Sequence, residues 1–285
     1  MEIRRLSPAL GSEVVGVDVT RVDDAGFAAL RAAWLDAGGL LVLRDQRLSP
    51  EQHLAFSRRF GPLFGEAEQL QRSVEPYLLP GHPGVYRVSN KVRDGVPQGR
   101  ARAGAYWHSD VSFRERPAMA SLLHAIELPP RGGDTLFNSM HTAYEALSPA
   151  LQALLRGLHA VHDFAVADRS SWGQVRISDG DLDGENRCLH PVVITHPETG
   201  RKALFVNPGF TSHLDGFSAE ESKGLLQLLY RLAIREEFQY RHVWSPRDLL
   251  VWDNRSVMHH AVVDYEGVGE RYLHRTTTIA ARPAA

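Results

Sequence analysis

A single cysteine in 285 residues, Cys188, leaves no partner for an intramolecular disulfide and excludes a cysteine-rich zinc site. Long apolar runs are missing as well. No stretch approaches the ~18 apolar residues that span a bilayer, and the opening MEIRRLSPALG lacks the apolar run of a secretory signal. Charge of one sign is not in excess: the net charge is -2, so bulk electrostatics points to neither nucleic acid nor a membrane surface. There is no internal repeat and no low-complexity segment. What is left is an ordinary globular composition, 43% hydrophobic and 23% charged, with length enough for a sizeable core. A cytoplasmic enzyme or binding protein is the default expectation.

Helices are few and well signalled. Asp23 and Asp24 precede FAALRAAWLDA, which stops at Gly38 and Gly39. Ser49, Pro50 and Gln52 supply an N-cap, an N1 proline and a capping box for EQHLAFSRRF. Ser218 and Glu221 do the same for ESKGLLQLLYRLAIREE. From residue 85 onward the chain is strand-rich: VYRVSN, SLLHAIEL, DTLFNS, LHPVVIT, ALFVN, FQYRHVW, LLVWDN and RYLHRTTTIA are β-branched or aromatic runs bounded by turn residues. PETG at 197–200 reads as a hairpin turn. Many short strands with a few outer helices favour a closed or double-sheet β-core. The regular alternation of parallel βαβ units is absent. Two segments, 92–105 and 165–187, are long and irregular, and such segments are often lids or disordered loops.

Chemistry concentrates at WHSD. His108 and Asp110 are two residues apart, so on a strand both point the same way and can converge on one ion. A second histidine would complete a 2-His-1-carboxylate face with three open positions, which suits iron(II), a bidentate 2-oxo acid and O2. The spacing alone is weak, since about one His-x-Asp is expected by chance in this composition. The other copy, His213-Leu214-Asp215, lies in a Gly-bounded turn where alternation does not hold. His259 and His260 follow the buried strand LLVWDN and are both candidates for the third ligand. In RYLHRTTTIA, Arg271 and Arg275 share one face with Leu273 and Thr277, while Tyr272, His274 and Thr276 share the other. A guanidinium inside a β-core needs an anion, and a carboxylate matches it bidentately.

These motifs carry a resemblance. FSRRFGPL (56–63), WHSD, GGDT (132–135), HPVVITHPETGRKALFVNPGF (190–210) and WDNR…HHA…RYLHR (252–275) resemble the taurine dioxygenase (TauD/TfdA) family of iron(II)/2-oxoglutarate enzymes, in that family's order and over nearly the whole chain. The resemblance implies one domain over 1–285, mostly β with flanking helices, on a double-stranded β-helix (jelly-roll, cupin-like) core. It implies that His108, Asp110 and His259 hold iron(II), that Thr135 and Arg271 hold 2-oxoglutarate, and that Arg275 meets the acid group of a small substrate. That substrate would be a sulfonate, alkyl sulfate, phenoxy acid or other carboxylate, oxidised with O2 to give succinate and CO2. It also implies a homo-oligomer, dimer or tetramer. Two departures set the chain apart from the taurine enzyme: Glu66 stands roughly where that enzyme has a sulfonate-binding His, and Gly104 stands where it has an Asn.

Other residues are weighed against plainer roles. Phe210 in NPGF and Phe113 are candidate pocket walls, although aromatics are more often simple core. Lys91, Arg93, Arg100 and Arg102 form a basic stretch placed to cover an anionic substrate, although most such runs are solvated surface. His124, His141, His159, His162 and His196 read as structural or exposed, with His196 an unremarkable turn residue. Asp179, Asp181, Asp183 and Gly184 open like a calcium loop, but the twelfth position is His190 rather than Glu, which favours a solvated acidic lid. The alternatives to an oxygenase are a metal-binding jelly-roll protein without that activity, and a zinc hydrolase on the same scaffold. Neither has use for Thr135 and Arg271 as anchors of a 2-oxo acid.

Overall fold

The computed structural model describes residues 1–70, 72–169 and 186–285. Its largest element is an eight-stranded sheet in the order Glu2–Arg5, Ser12–Val15, Leu40–Leu43, Leu249–Asp253, Ala118–Glu127, Tyr272–Ile279, His82–Ser89 and Leu78–Leu79. Its pairings are antiparallel except between Ser12–Val15 and Leu40–Leu43, which run parallel. Helix Asp24–Asp36 makes that crossover. One βαβ unit therefore sits near the edge of a sheet whose sequence lacks βαβ alternation elsewhere.

The runs LLVL and LLVWD are apolar at nearly every position because both faces of this sheet are covered. Leu41, Leu43, Leu122, Leu249 and Val251 pack with Leu30, Trp34 and Phe56 of the first two helices. Leu40, Val42, Leu123, Leu250 and Trp252 alternate with them and meet Phe137 and Val257. Those two residues belong to a second, facing sheet of Gln239–His242, Thr135–Ser139 and Val257–Ala261. Two facing sheets with helices outside are the expected jelly-roll core.

A further sheet places His159–Asp163 between Arg187–Pro191 and Thr211–Leu214. Val193–Thr195 and Lys202–Leu204 form the hairpin signalled by PETG. Ser49 and Ser218 both close capping boxes, with Gln52 and Glu221. The second of these helices ends earlier than the sequence suggests, at Ala233. A short 3-10 turn, Glu236–Phe238, follows. It buries Phe238 in the cluster that also holds Leu226, Leu229 and Ala233, so tertiary packing ends a helix that local propensity would extend.

The segment 92–105 is not a featureless loop. Val92–Arg93 pairs with Val96–Pro97 around Asp94 and Gly95, both at positive φ (51° and 77°). Asp-Gly is the pair that such a two-residue turn favours. Within 165–187, Ala165–Arg169 is a short helix, and the motif at 179–184 lies outside the described residues. His190, its twelfth position, is fully buried on Arg187–Pro191 and bonded to the Arg114 carbonyl. Among the described residues no helix is long and apolar enough to cross a membrane.

Candidate metal centre and its pocket

The local geometry at WHSD differs from the strand expected. Only His108 pairs, in an isolated antiparallel bridge with His259: His108 N donates to His259 O at 3.1 Å and His259 N to His108 O at 2.9 Å. Asp110 already lies in a turn, followed by Val111 at φ 56°. Alternation therefore does not aim the carboxylate. Long-range bonds do. The Asp110 amide donates to Asn254 Oδ1 at 2.9 Å, Ser121 Oγ donates to Asp110 Oδ2 at 2.7 Å, and Arg275 Nη1 donates to Oδ1 at 2.7 Å. Asn254 also donates to Ser121 Oγ and accepts from Trp252 Nε1.

The result is a compact cluster. His108 Nε2 is 3.6 Å from Asp110 Oδ1, and His259 Nε2 is 3.9 Å from Asp110 Oδ2. One ligand atom from each residue lies within 4.8 Å of the others, and all three side chains are buried. His108 Nδ1 faces the Tyr106 carbonyl at 2.8 Å. A carbonyl can only accept, so Nδ1 carries the proton and Nε2 is left as a ligand. Burial, with His108 beside it, holds the His259 pKa well below its ordinary value, which keeps the imidazole neutral. Burial pushes the Asp110 carboxyl up, but Arg275, His259 and His108 outweigh it and hold it far below the usual carboxylate range. Two imidazoles and one carboxylate with converging ligand atoms match the donor set of a facial iron(II) site.

His259 lies on Val257–Ala261 with its ring against Trp252 and Phe137. His260 points away, onto Trp107, and burial lowers its pKa to about 4. His213 lies on strand Thr211–Leu214 rather than in a turn. Among the described residues the metal-competent cluster includes neither it nor Asp215.

A second constellation gathers around Arg271. Arg271 precedes the strand Tyr272–Ile279 and is only 2% exposed. Its Nε donates to the Gly133 carbonyl at 3.2 Å, and its guanidinium carbon is 5.6 Å from the Trp244 ring and 5.8 Å from the Tyr265 ring. Among the described residues its Nη2 is buried with no hydrogen-bond partner. Trp244 Nε1 donates to the buried Thr135 Oγ1 at 3.1 Å, so the same indole touches both expected co-substrate residues. A buried guanidinium with an orphaned nitrogen calls for an acceptor such as a carboxylate.

Arg275 faces the same interior, its guanidinium carbon 5.0 Å from the Tyr86 ring. The opposite side of that strand packs on the second helix, where Thr276 Oγ1 lies 2.6 Å from Ser57 Oγ. Glu66 pairs not with Arg275 but with Arg58, at 2.7 Å. The internal acid on Arg275 is Asp110.

The cavity beside the cluster is lined by His108, Asp110 and Arg275, by the aromatics Phe113, Phe164 and Phe210, and by Arg100. Ser121, Asn254, Trp244 and Tyr86 escaped the sequence reading. Asn254 stood inside the quoted WDN motif, but nothing in one sequence says that its side chain reaches residue 110. His196 is no idle turn residue. It is 1% exposed, and its Nε2 is 3.0 Å from Asp253 Oδ2.

Fold, donor set and the orphaned arginine define a 2-oxoglutarate-dependent iron(II) dioxygenase. The chain belongs to the TauD/TfdA family, whose description, "Taurine catabolism dioxygenase TauD, TfdA family", matches residues 2–277. The alpha-ketoglutarate-dependent 2,4-dichlorophenoxyacetate dioxygenase of Cupriavidus pinatubonensis is 38% identical over 252 residues, covering 86% of each chain. A taurine dioxygenase from Burkholderia xenovorans superposes with a TM-score of 0.82 at 35% identity, covering 100% of this chain and 91% of that one. The structure of AAD-2 in complex with Mn(II) and N-oxalylglycine matches with a TM-score of 0.81 at 30% identity, covering 100% and 99%.

Proposed function

We propose that this chain oxidises a small organic acid with an apolar, aromatic-compatible body. His108, Asp110 and His259 hold iron(II); Arg271, with Thr135 and Trp244 beside it, holds the far carboxylate of 2-oxoglutarate. The observation that carries this assignment is the orphaned Nη2 of the buried Arg271, in a chain that also brings together a metal-competent triad. When bound, iron, 2-oxoglutarate and O2 supply the oxidising power, giving succinate, CO2 and an oxidised substrate.

The protein's own part is placement and exclusion of water. His108 is held by the Tyr106 carbonyl with Nε2 free. Asp110 is held as an anion by Arg275 and Ser121. Phe210, with Phe113 and Phe164, forms an apolar wall for the substrate body, and Arg275 lies where its acid group enters. The relatives named for phenoxyacetate and taurine oxidation support an anionic substrate; the change to Glu66, now tied to Arg58, argues against taurine. One domain over 1–285, a cytoplasmic location and a dimeric or tetrameric state complete the reading.

A succinate-release screen over phenoxy acids, alkyl sulfates and sulfonates, with neutral analogues alongside, tests it. Iron-dependent succinate with acidic compounds is expected. Release only with neutral or cationic compounds overturns the anionic assignment. Absence of a visible charge-transfer band on adding iron(II) and 2-oxoglutarate under argon overturns the co-substrate assignment.

A further inference from the structure

The basic stretch before the metal segment resolves into four different environments. Lys91 is matched with Glu127 at 2.5 Å and with Glu270 at 3.5 Å. Arg93 pairs with Glu270 at 3.0 Å and Arg102 with Glu266 at 3.4 Å, both well exposed. Arg100 differs in every respect. Among the described residues it has no ion pair, and it alone of the four lines the cavity beside His108 and Asp110. The titratable groups that bear on it are the phenols Tyr86, Tyr106 and Tyr77, with no carboxylate among them. Phenols are ordinarily uncharged at neutral pH, so they cancel none of its charge.

Its position is set by the backbone. Arg100 N donates to the Arg87 carbonyl at 3.0 Å, and Ser89 N donates to the Arg100 carbonyl at 3.2 Å. These bonds pin residue 100 to the strand His82–Ser89, which also carries Tyr86. Arg275 contacts the same Tyr86 ring and is paired with Asp110 through Nη1, while its buried Nε has no hydrogen-bond partner among the described residues. Of the cavity-lining side chains, Asp110 and Arg275 compensate one another and Arg100 is left over.

We propose that Arg100 is the specificity-determining cation of the substrate pocket. It receives the anionic group of the substrate beside Arg275, whose charge is shared with Asp110. A planar guanidinium fits carboxylate and sulfonate alike, so the assignment is to the charge and not to one acid. It rests on the dioxygenase reading above. It adds that preference for acids depends on a residue of the 92–105 segment rather than on the arginine of the final strand alone.

The test uses two matched pairs of probes, 2,4-dichlorophenoxyacetate with its methyl ester and benzenesulfonate with benzenesulfonamide. Binding is measured by equilibrium dialysis against the full chain loaded with iron(II) and 2-oxoglutarate under argon, with succinate release in air as a second readout. Wild type is expected to prefer at least one acid over its neutral partner. Arg100→Gln should weaken that acid by about thirty-fold or more, leave the neutral partner and the affinity for 2-oxoglutarate nearly unchanged, and raise KM far more than it lowers kcat. Arg100→Lys, which keeps the charge but not the fork, should retain part of the preference; if the glutamine variant fails to fold, Arg100→Met takes its place. If Arg100→Gln or Arg100→Met binds the acid as tightly as wild type does, the role of Arg100 is overturned and the dioxygenase reading stands. If wild type prefers neither acid, the proposal and the anionic assignment fall together.

Discussion

Gly104 lies against the ring of His108: a Cβ built on residue 104 would sit 2.9 Å from His108 Cε1, and the residue is at φ +74°. Any side chain here must displace the imidazole. Gly104→Ala is therefore expected to weaken iron(II) binding about ten-fold, since the left-handed conformation alone costs roughly 1–2 kcal/mol in a non-glycine residue. An iron titration followed by the charge-transfer band checks this; unchanged affinity would mean that the ring has room to move.

Replacing any one of His108, Asp110 and His259 by Ala should abolish iron-dependent succinate release, because each supplies one of three buried ligand atoms. His260→Ala should keep most of the activity, its ring being turned onto Trp107, and so should His213→Ala. Loss of iron binding in His260→Ala with retention in His259→Ala would shift the assignment by one residue.

Arg271→Ala should raise the KM for 2-oxoglutarate by about ten- to a hundred-fold, the value of a hydrogen-bonded charged partner at a dry site. Iron affinity should change little, since Arg271 touches none of the three ligands in the hydrogen bonds seen here. A KM for 2-oxoglutarate equal to that of wild type would remove Arg271 from this role.

Acid should destabilise the fold before the carboxylates titrate. His162 is fully buried between Ser112 Oγ and the Phe205 carbonyl, and burial, with His190 nearby, lowers its pKa to about 3. Its unfolded value is about 6.5. The unfolded chain thus binds the extra proton first, and stability is lost as pH falls from about 6.5 towards 3, by up to ~1.4 kcal/mol per pH unit for each such histidine. His53 and His274 are shifted in the same direction, again by burial first. Urea midpoints between pH 8 and 5 should fall steadily below about 6.5. His162→Gln should be weaker at pH 8 but show a shallower slope; an unaltered slope would assign the acid sensitivity to other groups.

Asp253 is fully buried and accepts from Arg255 at 2.6 Å and from His196 at 3.0 Å. Arg255 in turn reaches Glu198, which also binds Arg31. Asp253→Ala should cost about 3–5 kcal/mol, because it leaves a buried guanidinium without its main partner. Denaturant unfolding measures this. A loss under ~1 kcal/mol, the range of an exposed pair, would show that Glu198 alone can compensate Arg255.

Much of the site was legible in the chain because its residue types are so restricted. His-x-Asp, a later His-His and two arginines four apart carry chemistry that a packed β-core rarely tolerates without purpose. The capping boxes at Ser49 and Ser218 and the PETG hairpin were legible for another reason: each depends only on residues a few positions apart, so local sequence settles it. Other local readings went astray where distant packing intervened. The helix after Ser218 ends at Ala233 rather than running through 237. Asp110 belongs to a turn rather than a strand, aimed by Asn254, Ser121 and Arg275 from up to 165 residues away.

By itself the sequence determined the residue types available to hold a metal and a 2-oxo acid, the two-sheet class, and the starts of the helices, since these follow from side-chain chemistry and short-range periodicity. Only the tertiary structure decided which charge meets which. It gave Arg275 to Asp110 and Glu66 to Arg58 and, among the described residues, left Arg271 with an orphaned nitrogen and Arg100 facing the cavity without a counter-ion. Pairing of charges depends on distance in space, and distance in space is what a jelly roll, bringing residues 100, 110 and 275 to one wall, sets independently of their order in the chain.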